Sequence, residues 1–405
     1  MRRATATAIG LFLLLATAPA RAGVWEDPDL ATALAGAVHV VRGRAPAEGA
    51  RGRPTVTFRV EVSLKGAAPG TALEVGGLHD PSASPGPVFA PDEQVWLVVV
   101  RDDDTGALRV PTPTFGRYPL REGQVVHATP RDTYLRLSLP EDVFVALVRL
   151  HLGQRDAAWL DALRRHLDAV APTEPGPPRA LAFVGLEALA LVGEEADAAR
   201  AERLLDPAGP FQLRVSACRA LARSLGARAA PRLVKVVQTD PEPAVRSAAA
   251  DLLARASGPP SHAGEGLARR LVALVAEAPA EPVRFVGPND PRLNAWPSPR
   301  VALLRAIGRA GPAPVRADLL ALLDGPAQPL EVFSEVLRAL LLLDDDRALS
   351  LDLAARLRPD DSDEPGDDLR NRELCAALTM HTRLEHGLDV ARWRAWAAEQ
   401  RARQR

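Results

Sequence analysis

The side chains of this chain that could do chemistry are few and scattered. Its 405 residues include eight histidines and two cysteines. His381 and His386 sit five apart, about 140° around a helix, so they do not share a face as paired metal ligands would. His39 falls in a strand-like pattern and His79 and His127 near turns, with nothing in their spacing to converge them. The stretch RDDDTG (101–106) offers Asp102, Asp104 and Gly106, the beginning of a calcium loop. The later carboxylate that such a loop needs is missing, and a hairpin turn is the better reading. RPDDSDEPGDD (358–368) packs six carboxylates into one stretch, read as a solvated loop because like charges repel, with a calcium site as the alternative in an exported protein. Cys218 and Cys375 lie in helical patterns and read as small buried hydrophobes, a disulfide being the alternative. Gly-x-Ser-x-Gly, His-Glu-x-x-His, a Gly-Lys-Ser phosphate loop and Gly-x-Gly-x-x-Gly after a strand are all absent. No catalytic, metal or cofactor-binding residue is therefore assigned, no cofactor is expected, and the chain reads as a non-enzyme.

Charge is the remaining chemistry. In four helical segments, 227–238, 265–277, 314–323 and 347–358, nine basic residues stand against four acids. Arg232, Lys235, Arg269, Arg270 and Arg316 could together form a groove for an acidic segment of a protein partner, the alternative being an ordinary wet face.

The elements that must position these residues follow from periodicity. MRRATATAIGLFLLLATAPARAG places two arginines before a short apolar run and Ala20-Arg21-Ala22 after it, the pattern of a secretory signal over 1–22. Export to the periplasm or medium is expected. Removing Arg2, Arg3 and Arg21 takes the formal charge from -1 to -4, which favours neither nucleic acid nor an anionic membrane as partner. No later run is long enough to span a bilayer.

From Val38 to about Val126 the apolar period is two. TVTFRVEVSLKG puts Val56, Phe58, Val60, Val62 and Leu64 on one face of a strand, while VWLVVV (95–100) alternates poorly and should be buried on both faces. Five or six short strands suggest a small all-β barrel or sandwich over 23–137. Near Pro140 the period becomes 3.6. Bridging helices over 138–170 and a Pro-rich connector at 171–178 lead into helix pairs over 179–405.

One helix is written twice in that last segment. LRVSACRALARSLG (213–226) recurs 32 residues later within DPEPAVRSAAADLLARASG (240–258), and Gly226 and Gly258 close the two copies where a left-handed cap is needed. The first copy carries a second apolar stripe, Val215, Cys218, Ala222 and Leu225, so it must be sandwiched. About six such helix pairs, each followed by a second helix, read as a stack in which each unit buries its apolar face against its neighbours.

DPEPAVRSAAADLLA resembles a HEAT-type repeat, in particular the short bacterial form. The resemblance implies an α-solenoid over 179–405 with a C-terminal capping helix, and a structural role for Asp240 and Arg246, which in that family hydrogen-bond between adjacent units. The earlier copy keeps Arg214 but has Ala208 where the acid would fall. VVRGRA, FRVEVSLKG and FGRYPLREGQVV are similar to the OB-like barrel of netrin and metalloproteinase-inhibitor modules, although the N-terminal cysteine such inhibitors use is missing here. The fold class expected is thus α+β and multidomain. The function expected is an exported, non-catalytic protein-binding scaffold. The alternatives are a protease regulator or enzyme accessory acting through β-domain loops such as 76–89, and a hydrolase with an unrecognised site.

Overall fold

The computed structural model describes residues 30–51, 53, 55–78, 88–112, 116–126, 138–175, 177–256, 260–278, 298–311, 313–325, 329–342, 347–359 and 367–403. The 1–22 signal, His79, His127, Gly258 and the acids from Asp360 to Glu364 lie outside these. The chain divides into two compact units, residues 1–156 and 157–405.

The first unit begins with α1 (Leu30–Gly36) and continues through β1 (His39–Arg44), β2 (Ala50–Arg51), β3 (Val56–Lys65), β4 (Ala72–Val75), β5 (Val88–Phe89), β6 (Gln94–Arg101), β7 (Leu108–Arg109), β8 (Arg117–Arg121), β9 (Gln124–Val125) and β10 (Leu139–Pro140). The main sheet runs β10-β9-β8-β6-β1-β3-β4, all antiparallel, with β7 on β6. Gly76, just past β4, bridges Arg109 in β7, so the pairings pass from β6 through β1, β3 and β4 and return to β6. Val41, Val56, Phe58, Val60, Val75, Val95, Leu97 and Val99 fill the core on one side. Gly43 allows this: a Cβ there would come within 2.9 Å of the Phe58 Cβ. The other side of β6 is also covered. Trp96 meets Phe144 of α2 (Glu141–His151) at 6.1 Å between ring centres, and Tyr118 meets the same ring at 5.2 Å. β6 is accordingly buried on both faces.

Strict alternation in β3 stops after Val60. Arg42 pairs with Val62 while Gly43 pairs with Val60, which leaves Glu61 unopposed; Leu64 is skipped in the same way between Ser63 and Lys65. These are β-bulges, each of which kinks and twists the strand. Val62 and Leu64 are therefore half-buried where the uniform pattern expected them inside.

Fourteen α-helices follow the sheet among the described residues, beginning with α2. The segment expected to bridge, 138–170, is shared: α2 lies in the first unit and α3 (Ala157–Ala169) in the second. Next come α4 (Pro177–Val192), α5 (Ala198–Arg203), α6 (Phe211–Leu225), α7 (Ala230–Thr239), α8 (Pro243–Ala256), α9 (Pro260–Glu277) and α10 (Pro299–Ala310). α11 (Arg316–Asp324), α12 (Leu330–Leu340), α13 (Arg347–Ala354), α14 (Asp367–Thr382) and α15 (Val390–Ala402) complete the unit. The even-numbered helices touch in series: α4 on α6, α6 on α8, α8 on α10, α10 on α12 and α12 on α14. α6 shows why. Ten of its fifteen residues are buried, because it is apolar on opposite sides and has a neighbour on each. Burying Leu213 and Leu221 there stabilises the unit by about 1.5–3 kcal/mol each.

α6 ends at Gly226 with φ 55° and ψ −133°. The φ is positive, as a glycine stop requires, but the ψ is not that of the left-handed helix. A 3-10 turn, Gly226–Ala229, starts at this residue and runs straight into α7, so the chain must turn more sharply than a left-handed cap turns it.

Candidate functional site

The odd-numbered helices carry the charged residues. α7 buries Leu233, Val236 and Val237 at positions i, i+3 and i+4, which turns Arg232 and Lys235 outward. α9 buries Ala268, Leu271, Leu274 and Val275 and leaves Arg269 and Arg270 exposed. Arg316 opens α11, half-buried.

Arg232 and Arg316 are paired with carboxylates. Arg232 donates to Glu202 at the end of α5 at 3.0 Å, and Arg316 donates to Asp352 of α13 at 2.9 Å. Each acid comes from an adjacent odd-numbered helix, the preceding one for Arg232 and the following one for Arg316, and Glu202 lies outside the four segments, so the sequence count of excess charge missed the pairing. Lys235 and Arg270 show no side-chain partner among the described residues. Lys235, Arg269 and Arg270 are exposed.

The pairing is repetitive. Arg164 of α3 forks onto Asp197 at 3.0 and 2.8 Å, 33 residues on. Arg200 reaches Asp168, 32 residues back, and Arg228 reaches Glu195 across 33. Arg232 to Glu202 spans 30, Arg316 to Asp352 spans 36, and Arg356 to Asp324 spans 32. The hydrogen bond from Arg164 to Asp197 raises the guanidinium above its usual range against the opposing effect of burial. At Glu195 the hydrogen bond from Arg228 lowers the carboxyl, and the same bond raises the arginine.

Asp240 and its arginines form the most buried part of this network. Arg214 donates Nε and Nη2 to the two carboxylate oxygens of Asp240, both at 2.9 Å, and both residues are about 95% covered or more. The carboxylate also accepts the Glu242 N–H at 2.9 Å. Arg246, the counterpart of Arg214 in the later copy, donates Nη1 to the Asp240 carbonyl at 3.2 Å. Where Ala208 replaces the acid, Arg214 donates instead to the carbonyls of Pro207 and Gly209. The equivalent arginines thus hold the loop in front of their own helix, and Arg214 reaches the following loop as well. Cys218 lies in this region; burial first, and the Asp240 charge second, push its thiol up to about 12. Neither cysteine is in a disulfide, and both are buried.

The first unit holds a second polar assembly. Glu61, left unopposed by the bulge, accepts from Arg44 and Gln94 at 2.6 Å each, with Arg42 at 3.4 Å. Burial alone would raise the Glu61 carboxyl, but the hydrogen bonds and the two arginine charges outweigh it and hold it below its usual range. Arg42 and the Trp96 indole N–H both donate to Glu141 at 2.8 Å, which fixes the N-terminus of α2 to the sheet. Beside this assembly opens a cleft of about 610 Å³ lined by Arg44, Asp92, Glu93, Gln94 and Arg121 among others. Its lining is of mixed charge, two arginines beside two carboxylates.

The other candidates resolve individually. Asp102 is spent on its own turn: its carboxylate accepts from the Thr105 N–H at 3.0 Å and hydroxyl at 2.9 Å and from Arg109 at 2.9 Å, within the hairpin of β6 and β7. Its carboxyl is lowered first by the Thr105 backbone bond. His39 Nδ1 accepts the Ala67 N–H at 3.0 Å, and burial lowers its ring. His381 Nδ1 pairs with the Ser350 hydroxyl at 2.7 Å, and His386 packs edge-on against Trp393. Among the described residues no three His, Cys, Asp or Glu side chains are grouped to hold a metal ion, and no helix is long and apolar enough to cross a membrane.

The chain matches no protein-family model, and comparison with curated proteins and with solved structures returned no match.

Proposed function

We propose that the chain is an exported, non-catalytic protein-binding scaffold: a HEAT-like solenoid of helix pairs preceded by a small OB-like β barrel. The observation that carries this reading is the series of arginine–carboxylate bridges at offsets of 30 to 36 residues, which supports one structural unit repeated along the second half. A repeated unit with neighbour-only contacts makes a long, stiff surface, and such surfaces bind by many weak contacts over an extended area. Lys235, Arg269 and Arg270, exposed on consecutive odd-numbered helices, give this surface the charge to meet an acidic protein segment.

The test is affinity capture from the exported fraction on immobilised protein at low and high salt. Retention of a partner at low salt, its loss at high salt, and its loss in the Arg269→Glu/Arg270→Glu variant are expected. Capture indifferent to both salt and charge reversal would sink the cationic-surface reading.

A further inference from the structure

The ladder between β1 and β3 stops one residue short of the start of β1. Its last pair is Val40 with Lys65; beyond it β1 begins with His39, while the chain leaves β3 through Gly66. On its other edge β1 is held by ordinary pairing, His39 opposite Val99 of β6 and the Val38 N–H on the Val99 carbonyl at 2.8 Å. Towards β3 the missing rung is made by the imidazole. Its Nδ1 accepts the Ala67 N–H at 3.0 Å, and the backbone turns at Gly66, with φ 87°, to bring that N–H round. Only glycine fits at this turn, because a Cβ on residue 66 would collide with the His39 ring and the Val38 carbonyl.

An imidazole nitrogen accepts a hydrogen bond only while it carries no proton. In the imidazolium both nitrogens are donors, so Nδ1–H would face the Ala67 N–H, donor against donor. The neighbouring charges act in the same direction. Arg101 at the end of β6 disfavours a second cation on the ring, and the other charged residue at this end of the strands is Lys65 of β3. α1, which packs on β6, and the turn from Gly66 to Thr71 carry no ionisable side chain. The acids on the adjoining strands are engaged elsewhere: Glu61 of β3 with Arg44 and Gln94, and Asp102, just past β6, with Thr105 and Arg109. Among the described residues no carboxylate pairs with His39 to offset the lost bond. We propose that His39 is an acid-sensitive latch: protonation of its ring releases Ala67 and frees the tip of the β3–β4 hairpin, Gly66 to Thr71, from β1. The hairpin itself stays closed, since the Gly70 N–H binds the Val60 carbonyl at 2.8 Å and the Val60 N–H binds the Thr71 carbonyl at 2.9 Å. Burial first, and Arg101 second, hold the ring below its ordinary value of 6.5. The contribution of the bond is therefore complete above that value and is lost as pH falls through the lower folded one. The latch lies wholly in the first unit and owes nothing to the helix pairs or to an acidic partner.

Backbone NMR of the isotope-labelled full chain tests it, with hydrogen exchange read at single amides at about pH 7.5 and about pH 5 and corrected for the intrinsic pH dependence of exchange. Ala67 is expected to lose about tenfold or more of its protection in acid, with a midpoint shared by the His39 ring signals, while Val38 and Gly70 keep theirs. His39→Asn puts an acceptor oxygen in the place of Nδ1 and does not titrate, so Ala67 should stay protected at both pH values. His39→Phe, with no acceptor, should leave it open at both. Equal protection of Ala67 at both pH values in the wild type, an equal acid loss in His39→Asn, or a loss at Val38 and Gly70 together with Ala67 overturns the proposal. Should His39→Phe fail to fold, the wild type and His39→Asn decide by themselves.

Discussion

Asp240 and Arg214 pose a question of cost at the scale of single residues. Two charges taken out of water are tolerated only because each fills the other's hydrogen-bonding sites, so removing one leaves the other buried and uncompensated. Asp240→Ala is expected to destabilise the second unit by about 3–5 kcal/mol in denaturant unfolding, whereas the outer bridge Arg232–Glu202, about half exposed on both sides, should contribute under about 1 kcal/mol. Equal losses at the two sites would contradict this. Cys218, its thiol pushed up to about 12, should stay unmodified by a thiol reagent at pH 8 until the chain is unfolded. Glu61 sets a pH dependence. Its carboxyl is lower in the folded chain than in the unfolded one, so its contribution is present above the unfolded pKa near 4.3 and is lost as pH falls through the folded value. Glu61→Gln should therefore lower the melting temperature at neutral pH, and the gap from the wild type should narrow in acid. A gap that stays constant into acid would show that the hydrogen bonds, and not the charge, matter.

Elements differed in how far their sequence betrayed them. The helix pairs were plain, because a stripe at i, i+3, i+4 and i+7 survives any neighbour, and the double stripe of α6 announced two neighbours before either was known. Strand register was not. A bulge leaves the alternation of TVTFRVEV intact on paper while it redirects Glu61, so the cluster around that residue had no local signature. Pairing across 30 residues was equally hidden: Arg232 and Glu202 look like free charges until two helices lie side by side. The role of Arg246 was legible only in part, since it holds the carbonyl of Asp240 while Arg214 takes the carboxylate. Gly226 could be placed as a helix stop but its ψ could not. Gly226→Ala should cost about 1–3 kcal/mol by thermal or chemical melting, from backbone strain alone, because an added Cβ would meet nothing within 4 Å. A neutral result would mean that the turn into α7 relaxes.

At the scale of the whole molecule, two units with separate cores should melt separately. Residues 30–156 and 157–405 produced as independent chains are expected each to give a single cooperative unfolding transition by circular dichroism. Failure of either to fold alone would show that its core is completed by the other. Several helix ends in the second unit are finished by an arginine from farther along the chain. Arg203 donates to the Val170 carbonyl at 2.9 Å and Arg300 to Ala278 at 2.9 Å, and Arg401 adds a second donor at 3.0 Å to the Leu351 carbonyl, which already accepts the Ala355 N–H. Because each donor lies 22 to 50 residues beyond the carbonyl it reaches, a cut in the chain between the two would leave a carbonyl on one fragment and a cation on the other.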